Sequence, residues 1–436
     1  MTDARNLPVL NIGVIGHAGD GKTTLTVAIT QRLSRRPGCK ARAYSFDELV
    51  PLRTYGPYAR ETSLHTAYVD YDSPRRRYNH IDVPGLRRRL ARMVRSSSML
   101  DAAVLVVSAP DAVRAQTREH VALIPALNEQ RLVVFLNKCD LVKDPEWLDA
   151  VETETREMLF HYGIDGDAVP VIRGAARPAS EGDARWEPLI DALIDTLDQD
   201  VPDPTRVFEG PFVLPIEKVY YKGQDVIVAG RIERGEVAIN GSYELCGRRP
   251  MPLPSGKNWQ DVTLISRGKR EWDYWGAFAW PVRAGSIERF RLPTARAQAG
   301  DQVGILLREL GGAFVQAGMV LATRDAVKLG RRFRCTLRVI PREHGGRHTP
   351  VRNGHRGHFF LSTDGVTGAL ILRDEQTLLM PGDTTENILV ELMRPAWIEP
   401  GMRFTVRDGT DGLRREGTEP VWGGTALTGE ITKVEA

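Results

Sequence analysis

Cysteine is scarce in this chain, and the four present, Cys39, Cys139, Cys246 and Cys335, lie far apart without a CxxC pair. That spacing fits neither a zinc site nor a disulfide framework, and it makes a reducing cytoplasm the expected compartment. Long apolar runs are missing too. The longest, such as residues 102–107 and 132–136, fall far short of the ~20 residues a spanning helix needs, so no membrane partner is expected. The start "MTDARNLPVLNIG" shows no basic segment followed by a long apolar core, and export is not expected. Charge of one sign is not in excess: 59 Lys and Arg against 56 Asp and Glu leave a formal +3, too little to argue for a nucleic-acid partner by itself. Basic clusters do occur at residues 75–77, 87–95, 331–334 and 342–348. For any one of them the default is a solvated surface.

What is present is organised. A length of 436 residues calls for two to four domains. Up to about residue 200, buried-strand runs ("VLNIGVIG", "AAVLVVSA", "RLVVFLNK", "AVPVIRGA") alternate with amphipathic helical stretches ("KTTLTVAITQRL", "DPEWLDAVETETREMLFHYG", "WEPLIDALIDTLDQ"). This predicts a doubly wound α/β domain with a mostly parallel sheet over residues 1–203. Three prolines without apolar period in "DVPDPTRVFEGP" mark a linker. Beyond it the texture becomes short alternating strands between Gly turns, which predicts two β-barrel domains, at 211–326 and 327–436.

The chemistry-bearing motifs lie in the first domain. "GHAGDGKTTL" is G-x-x-x-x-G-K-[ST] between a strand and a helix, the context a phosphate loop requires. Gly16, His17, Ala18, Gly19, Asp20 and Gly21 form the cradle; Lys22 can reach the β and γ phosphates, Thr23 can ligate Mg²⁺, and Thr24 completes the helix start. "DVPG" follows a strand, so Asp82 can hold the Mg²⁺ shell while Pro84 and Gly85 bring an N–H towards a γ phosphate. "NKCD" ends another strand, where α/β sheets bind ligands. There Asn137, Lys138 and Asp140 suit guanine, because a carboxylate accepts from its ring N–H and exocyclic amine. "GAA" ends the next strand, and its Ala175 and Ala176 can offer a backbone N–H to the guanine oxygen. In this order the motifs specify a P-loop domain for GTP or GDP with Mg²⁺.

Across nearly its full length the chain resembles bacterial elongation factor Tu, as a divergent member. The resemblance rests on "NIGVIGHAGDGKTTLTVAIT", "QTREH", "VFLNKCDLV", "EGDARWE", "PFVLPIE", "GRIERG", "GGRHTP", "DGVTG" and "MPGD". "GGRHTP", with the following "NGHRGHFF", is the most discriminating; other translation-type GTPases such as the selenocysteine-specific factor lack it. The resemblance implies a monomeric, cytoplasmic GTP-dependent carrier of aminoacyl-tRNA, with the ribosome and a guanine-nucleotide exchange factor as further partners. It implies that Arg231, Ile232 and Glu288 help form the pocket for the terminal adenosine, that Arg308 and Arg92 lie near the tRNA 5′ end, and that Arg347 and His348 face the acceptor and T stems. It also implies Ser63 as a further Mg²⁺ contact.

Three departures stand out. Leu86 occupies the place of the family's water-positioning histidine and has no donor or acceptor, so no catalytic residue is assigned and hydrolysis is expected to be slow. The neighbouring guard positions are Ala18 and Thr62. An insertion at about 248–284 interleaves tryptophans with Lys and Arg, which suits stacking on unpaired bases or a protein contact. The alternative reading is therefore a GTP-bound protein-interaction module that does not hydrolyse.

Overall fold

A computed structural model of the chain describes residues 7–49, 67–82, 100–122, 131–222, 225–250, 275–289, 292–308, 310, 315–342, 346–372, 378–409 and 422–435. The chain folds as two compact units, Met1–Thr205 and Arg206–Ala436.

In the first unit the strands are β1 (Val9–Ile15), β2 (Lys40–Ala41), β3 (Ala67–Asp72), β4 (Arg77–Asp82), β5 (Ala102–Ser108), β6 (Leu132–Asn137) and β7 (Val171–Arg173). They form one sheet in the order β2-β3-β4-β1-β5-β6-β7. From β4 to β7 every pairing is parallel, and only β3 with its neighbours is antiparallel. β5 and β6 are buried at every position, which is why they read as unbroken apolar runs: helices cover both faces of a parallel sheet. The helices are α1 (Lys22–Arg35), α2 (Phe46–Leu49), α3 (Ala115–Ala122), α4 (Pro145–His161), α5 (Ala176–Ser180) and α6 (Glu187–Gln199). α4 shows how the sequence sets its ends. Asp144 caps it by accepting from the Glu146 N–H, with Pro145 at the first helical position, and Gly163 leaves it with φ 76°. α6 is fastened to α1 by Arg32 to Asp191 at 2.6 Å and Arg36 to Asp195 at 2.6 Å.

The second unit begins inside the proline-rich segment. Asp203 still pairs with Arg76 of the first unit at 3.0 Å, whereas the Val207 carbonyl already accepts from the Gly235 N–H. Two β bodies follow. In the first, an eight-stranded antiparallel sheet runs from Val213–Pro215 through Val320–Ala322, Ser242–Pro250, Trp275–Arg289, Gln302–Arg308 and Asp225–Arg231 to Lys218–Lys222, with Leu292–Thr294 paired to Trp275–Arg289 off this path. It curls around Phe212, Leu214, Val228, Leu245, Ile287 and Ile305. Its edge strands are consecutive in the chain, yet no ladder joins them among the described residues. Val213 of the first strand nonetheless donates to the Arg234 carbonyl at 3.0 Å and accepts from the Glu233 N–H at 2.9 Å, just past Asp225–Arg231, and the second body is a closed barrel, in keeping with the expected β-barrel layout. That barrel joins Leu329–Val339, Thr384–Trp397, Asp364–Ile371, Arg356–Leu361, Arg403–Gly409 and Trp422–Glu435. Strict alternation of buried and half-buried residues along Asp364–Ile371 sends one face into the barrel core, as a period of two requires.

The two β bodies share an apolar seam of Val213, Cys246, Val320, Ala322, Val327 and Trp397. Beside it Arg234 pairs with Glu399 at 2.6 Å, and Arg248 pairs with Asp364. The tryptophan-rich stretch joins Ser242–Pro250 to Trp275–Arg289, which pair from Ser242↔Arg283 to Pro250↔Trp275; residues 251–274 lie outside the described residues.

Candidate nucleotide-binding site

The loops following β1, β5, β6 and β7, together with Asp82 at the end of β4, meet at the C-terminal edge of the sheet. Between β1 and α1 the chain turns through Gly16, Gly19 and Gly21 with φ of 138°, 90° and 93°, conformations that only glycine adopts without strain. Two of them are also sterically required. A Cβ on Gly16 would stand 2.2 Å from the Val106 carbonyl oxygen, and one on Gly21 would stand 2.3 Å from Asn137 Nδ2. His17 and Ala18 are half-buried and Gly19 is exposed. The buried Asp20 closes the turn by accepting from the His17 N–H at 2.8 Å.

Lys22 opens α1 and folds back across the loop, donating to the Gly16 carbonyl at 2.9 Å and the His17 carbonyl at 2.7 Å. Its ammonium is buried, which lowers its pKa; Asp82 and Asp20 counter that. Thr23 Oγ1 donates to Asp82 Oδ2 at 2.6 Å. Burial raises the Asp82 carboxyl, opposed by the Thr23 hydroxyl and Lys22. One oxygen ligand from the start of α1 and one from the end of β4 thus converge beside Lys22, and this oxygen set fits a hard divalent ion such as Mg²⁺. Thr24, half-buried, follows on α1.

The other half of the site is held by Asn137 at the end of β6. Its Nδ2 donates to the Asp20 carbonyl at 2.7 Å and its Oδ1 accepts from the Ala176 N–H at 2.8 Å, so a single amide joins three loops. Lys138 is left-handed, φ 62°, and turns the chain into a single 3₁₀ turn, Cys139–Leu141, which leaves Asp140 exposed. Gly174 accepts from the Cys139 N–H at 3.1 Å and must be glycine because a Cβ would meet the Phe135 ring at 2.4 Å. Ala175, buried, stands before α5.

Two residues that sequence reading did not single out complete the cluster. The His120 ring Nδ1 accepts from the Gly16 N–H at 3.1 Å; burial pushes its pKa down to about 3, so the ring is neutral. Arg114 donates to Asp20 Oδ1 at 2.6 Å. His120 at least lies in "QTREH"; Arg114 carried no local signal. Ser63, Thr62, Pro84, Gly85, Leu86 and Arg92 fall outside the described residues.

The residues expected to face RNA are divided. Ile232 is wholly buried in the core of the first β body, and Arg231 is 5% exposed and paired with Glu233 at 3.0 Å. Both side chains are thereby committed inside that body. Glu288 and Arg308 are exposed on Trp275–Arg289 and Gln302–Arg308. Gly285, at a bulge between them, lies under the Arg308 side chain, 2.6 Å from its Nε for an added Cβ. His348 is exposed, whereas Arg347 is half-buried and donates to the Thr349 carbonyl at 3.1 Å. In the clusters at 75–77 and 331–334, Arg76 pairs with Asp203, Arg77 with Asp72, Arg332 with Glu391 and Arg334 with Glu435, while residues 87–95 lie outside the described residues. These four arginines brace their own units.

With this geometry in view, residues 7–203 match the family model for the elongation factor Tu GTP binding domain, and residues 326–413 match that for the elongation factor Tu C-terminal domain. Together the matches cover about two thirds of the chain. Among the described residues no helix is long and apolar enough to cross a membrane.

Proposed function

Because the chain belongs to the elongation-factor-Tu-like translational GTPases, we propose that it binds GTP or GDP with Mg²⁺ at this loop cluster. In its GTP form it carries aminoacyl-tRNA in the cytoplasm, as a monomer, and hydrolyses GTP slowly. The nucleotide half of the reading is carried by Asn137, which holds the Asp20 carbonyl and the Ala176 amide in one grip. That grip links the phosphate loop to the base-recognition loop, and preorganisation of this kind lowers the entropy cost of binding.

In this reading the loop amides from His17 to Lys22 take the phosphates. Lys22 exchanges its two backbone carbonyl partners for phosphate oxygens. Asp140 accepts from the guanine ring edge, and Ala175 offers the next amide along to the guanine oxygen. Thr23, Asp82 and Ser63 hold Mg²⁺, which neutralises charge on the terminal phosphates. Leu86, where a donor or acceptor would orient the attacking water, supplies neither, and such losses cost about 10²-fold or more. On the tRNA side Arg231, Ile232, Glu288, Arg308, Arg92, Arg347 and His348 are the residues assigned to RNA, and of these Glu288, Arg308 and His348 are exposed. Contacts of this kind go to phosphate and 2′-hydroxyl groups. The ribosome and a nucleotide-exchange factor complete the partners.

Filter binding of the GTP form with charged and uncharged tRNA tests the carrier role. Selective, GTP-dependent retention of charged tRNA is expected, and no retention of either would favour the interaction module built on the tryptophan-rich insertion. Single-turnover hydrolysis with and without ribosomes tests the slow step, and a normal stimulated rate would refute it.

A further inference from the structure

Asp20 is an odd residue to find in a phosphate loop. It is 1% exposed, and a buried carboxylate beside the seat of a polyanion repels the ligand and competes with it for Lys22. The structure shows what offsets it. Arg114, from the loop after β5 and 94 positions away in sequence, donates to Asp20 Oδ1 at 2.6 Å. The same terminal nitrogen reaches Asp111 Oδ2 at 3.1 Å. Asp111 also accepts from Ser108 Oγ at 2.6 Å, and Lys138 Nζ stands 3.8 Å from it. Charges therefore alternate from Asp20 through Arg114 and Asp111 to Lys138, from the phosphate loop to the residue that follows Asn137.

This path runs beside the Asn137 grip but differs from it in kind. Asn137 ties the loops with neutral hydrogen bonds, whereas the Arg114 path joins two charge-assisted hydrogen bonds, of 2.6 Å and 3.1 Å, to an ion pair of 3.8 Å between Lys138 and Asp111. Arg114 is also the group whose charge acts most strongly to keep Asp20 ionised against burial.

We propose that Arg114 is a positioning residue for the nucleotide: it neutralises Asp20 inside the phosphate loop and braces that loop against the base-recognition loop, so that both are presented together to a guanine nucleotide. This rests on the reading of the site as a guanine-nucleotide pocket. Removing the guanidinium while keeping Asp20 leaves the buried carboxylate its His17 N–H but takes away its ion-pair partner, the costly half of any buried ion pair. Removing both charges leaves a neutral loop still held by Asn137.

The test is the affinity of the full chain for fluorescent GDP and GTP analogues in magnesium buffer, with the melting temperature of each ligand-free variant alongside. Arg114→Gln is expected to weaken both nucleotides by about tenfold or more. Arg114→Lys, which keeps the charge, is expected to stay within about threefold of the unaltered protein. The double variant Asp20→Asn with Arg114→Gln is expected to regain most of the lost affinity. A merely structural arginine would make lysine fail as glutamine does. Should Arg114→Gln not fold, the lysine and double variants carry the same comparison. Affinity unchanged in Arg114→Gln, or a double variant and a lysine variant both as weak as Arg114→Gln, would overturn the inference while leaving the pocket intact. No binding of either nucleotide by the unaltered chain would overturn the pocket and the inference with it.

Discussion

Buried charge serves opposite ends in the two units. At the sheet edge of the first, Lys22, Asp20 and Asp82 are buried next to one another, and Lys22 is satisfied by its own loop carbonyls. Such an arrangement is ready to exchange partners. In the second unit the Arg248 guanidinium, 12% exposed, meets the Asp364 carboxylate, 10% exposed, with a second bond of 2.9 Å, and Arg234 meets Glu399. There each charge has a fixed counter-charge on the neighbouring β body. Buried charge lodged among loop carbonyls at strand ends marks a site, and buried charge matched across an apolar seam marks a joint.

The largest expected effect lies in the joint. Asp364→Ala strands a buried guanidinium and should cost about 3 kcal/mol of stability, read by chemical denaturation, without altering nucleotide affinity. Loss of nucleotide binding with unchanged stability would reverse the roles assigned to the two regions. Next comes Lys22→Ala, expected to weaken GTP by about a hundredfold while changing the denaturation midpoint little, since only loop carbonyls lose a donor.

The smallest is a pH effect. His120 titrates at about 3 in the folded chain against an ordinary 6.5, so between these values the unfolded chain binds the extra proton and stability falls as pH falls. From pH 7 to 5 the loss should be about 1–2 kcal/mol. The raised carboxyls of Asp20 and Asp82 oppose it at lower pH, because they take up protons sooner when folded. His120→Gln should flatten the acid limb in a plot of melting temperature against pH; an equal slope in both proteins would remove His120 from the account.

How legible the molecule was in its sequence depended on how locally each feature is encoded. Gly16, Gly19 and Gly21 announce the phosphate loop because left-handed backbone has a residue signature. β5 and β6 announce a parallel sheet because burial on both faces abolishes alternation. The pairing of Val213 with Arg234 in the first β body was not legible, since strand pairing at an edge is decided by distant partners. Nor was the burial of Arg231 and Ile232. Within "GRIERG" Ile232 donates its backbone N–H to the Asp301 carbonyl and enters the core. Arg76 and Arg77 likewise read as free charge and turn out paired.

What the sequence alone determined is the set of parts: a phosphate loop, a guanine-type loop, a helix-covered parallel sheet and two β bodies, each set by neighbours a few residues apart through dihedral preference and hydrophobic period. Only the tertiary structure decided which charges meet. Arg114 finds Asp20, His120 finds the Gly16 amide and Arg248 finds Asp364 because strand register carries side chains 94, 104 and 116 positions apart to within hydrogen-bond reach. No local pattern encodes such a pairing, since its energy appears only once the sheet has formed.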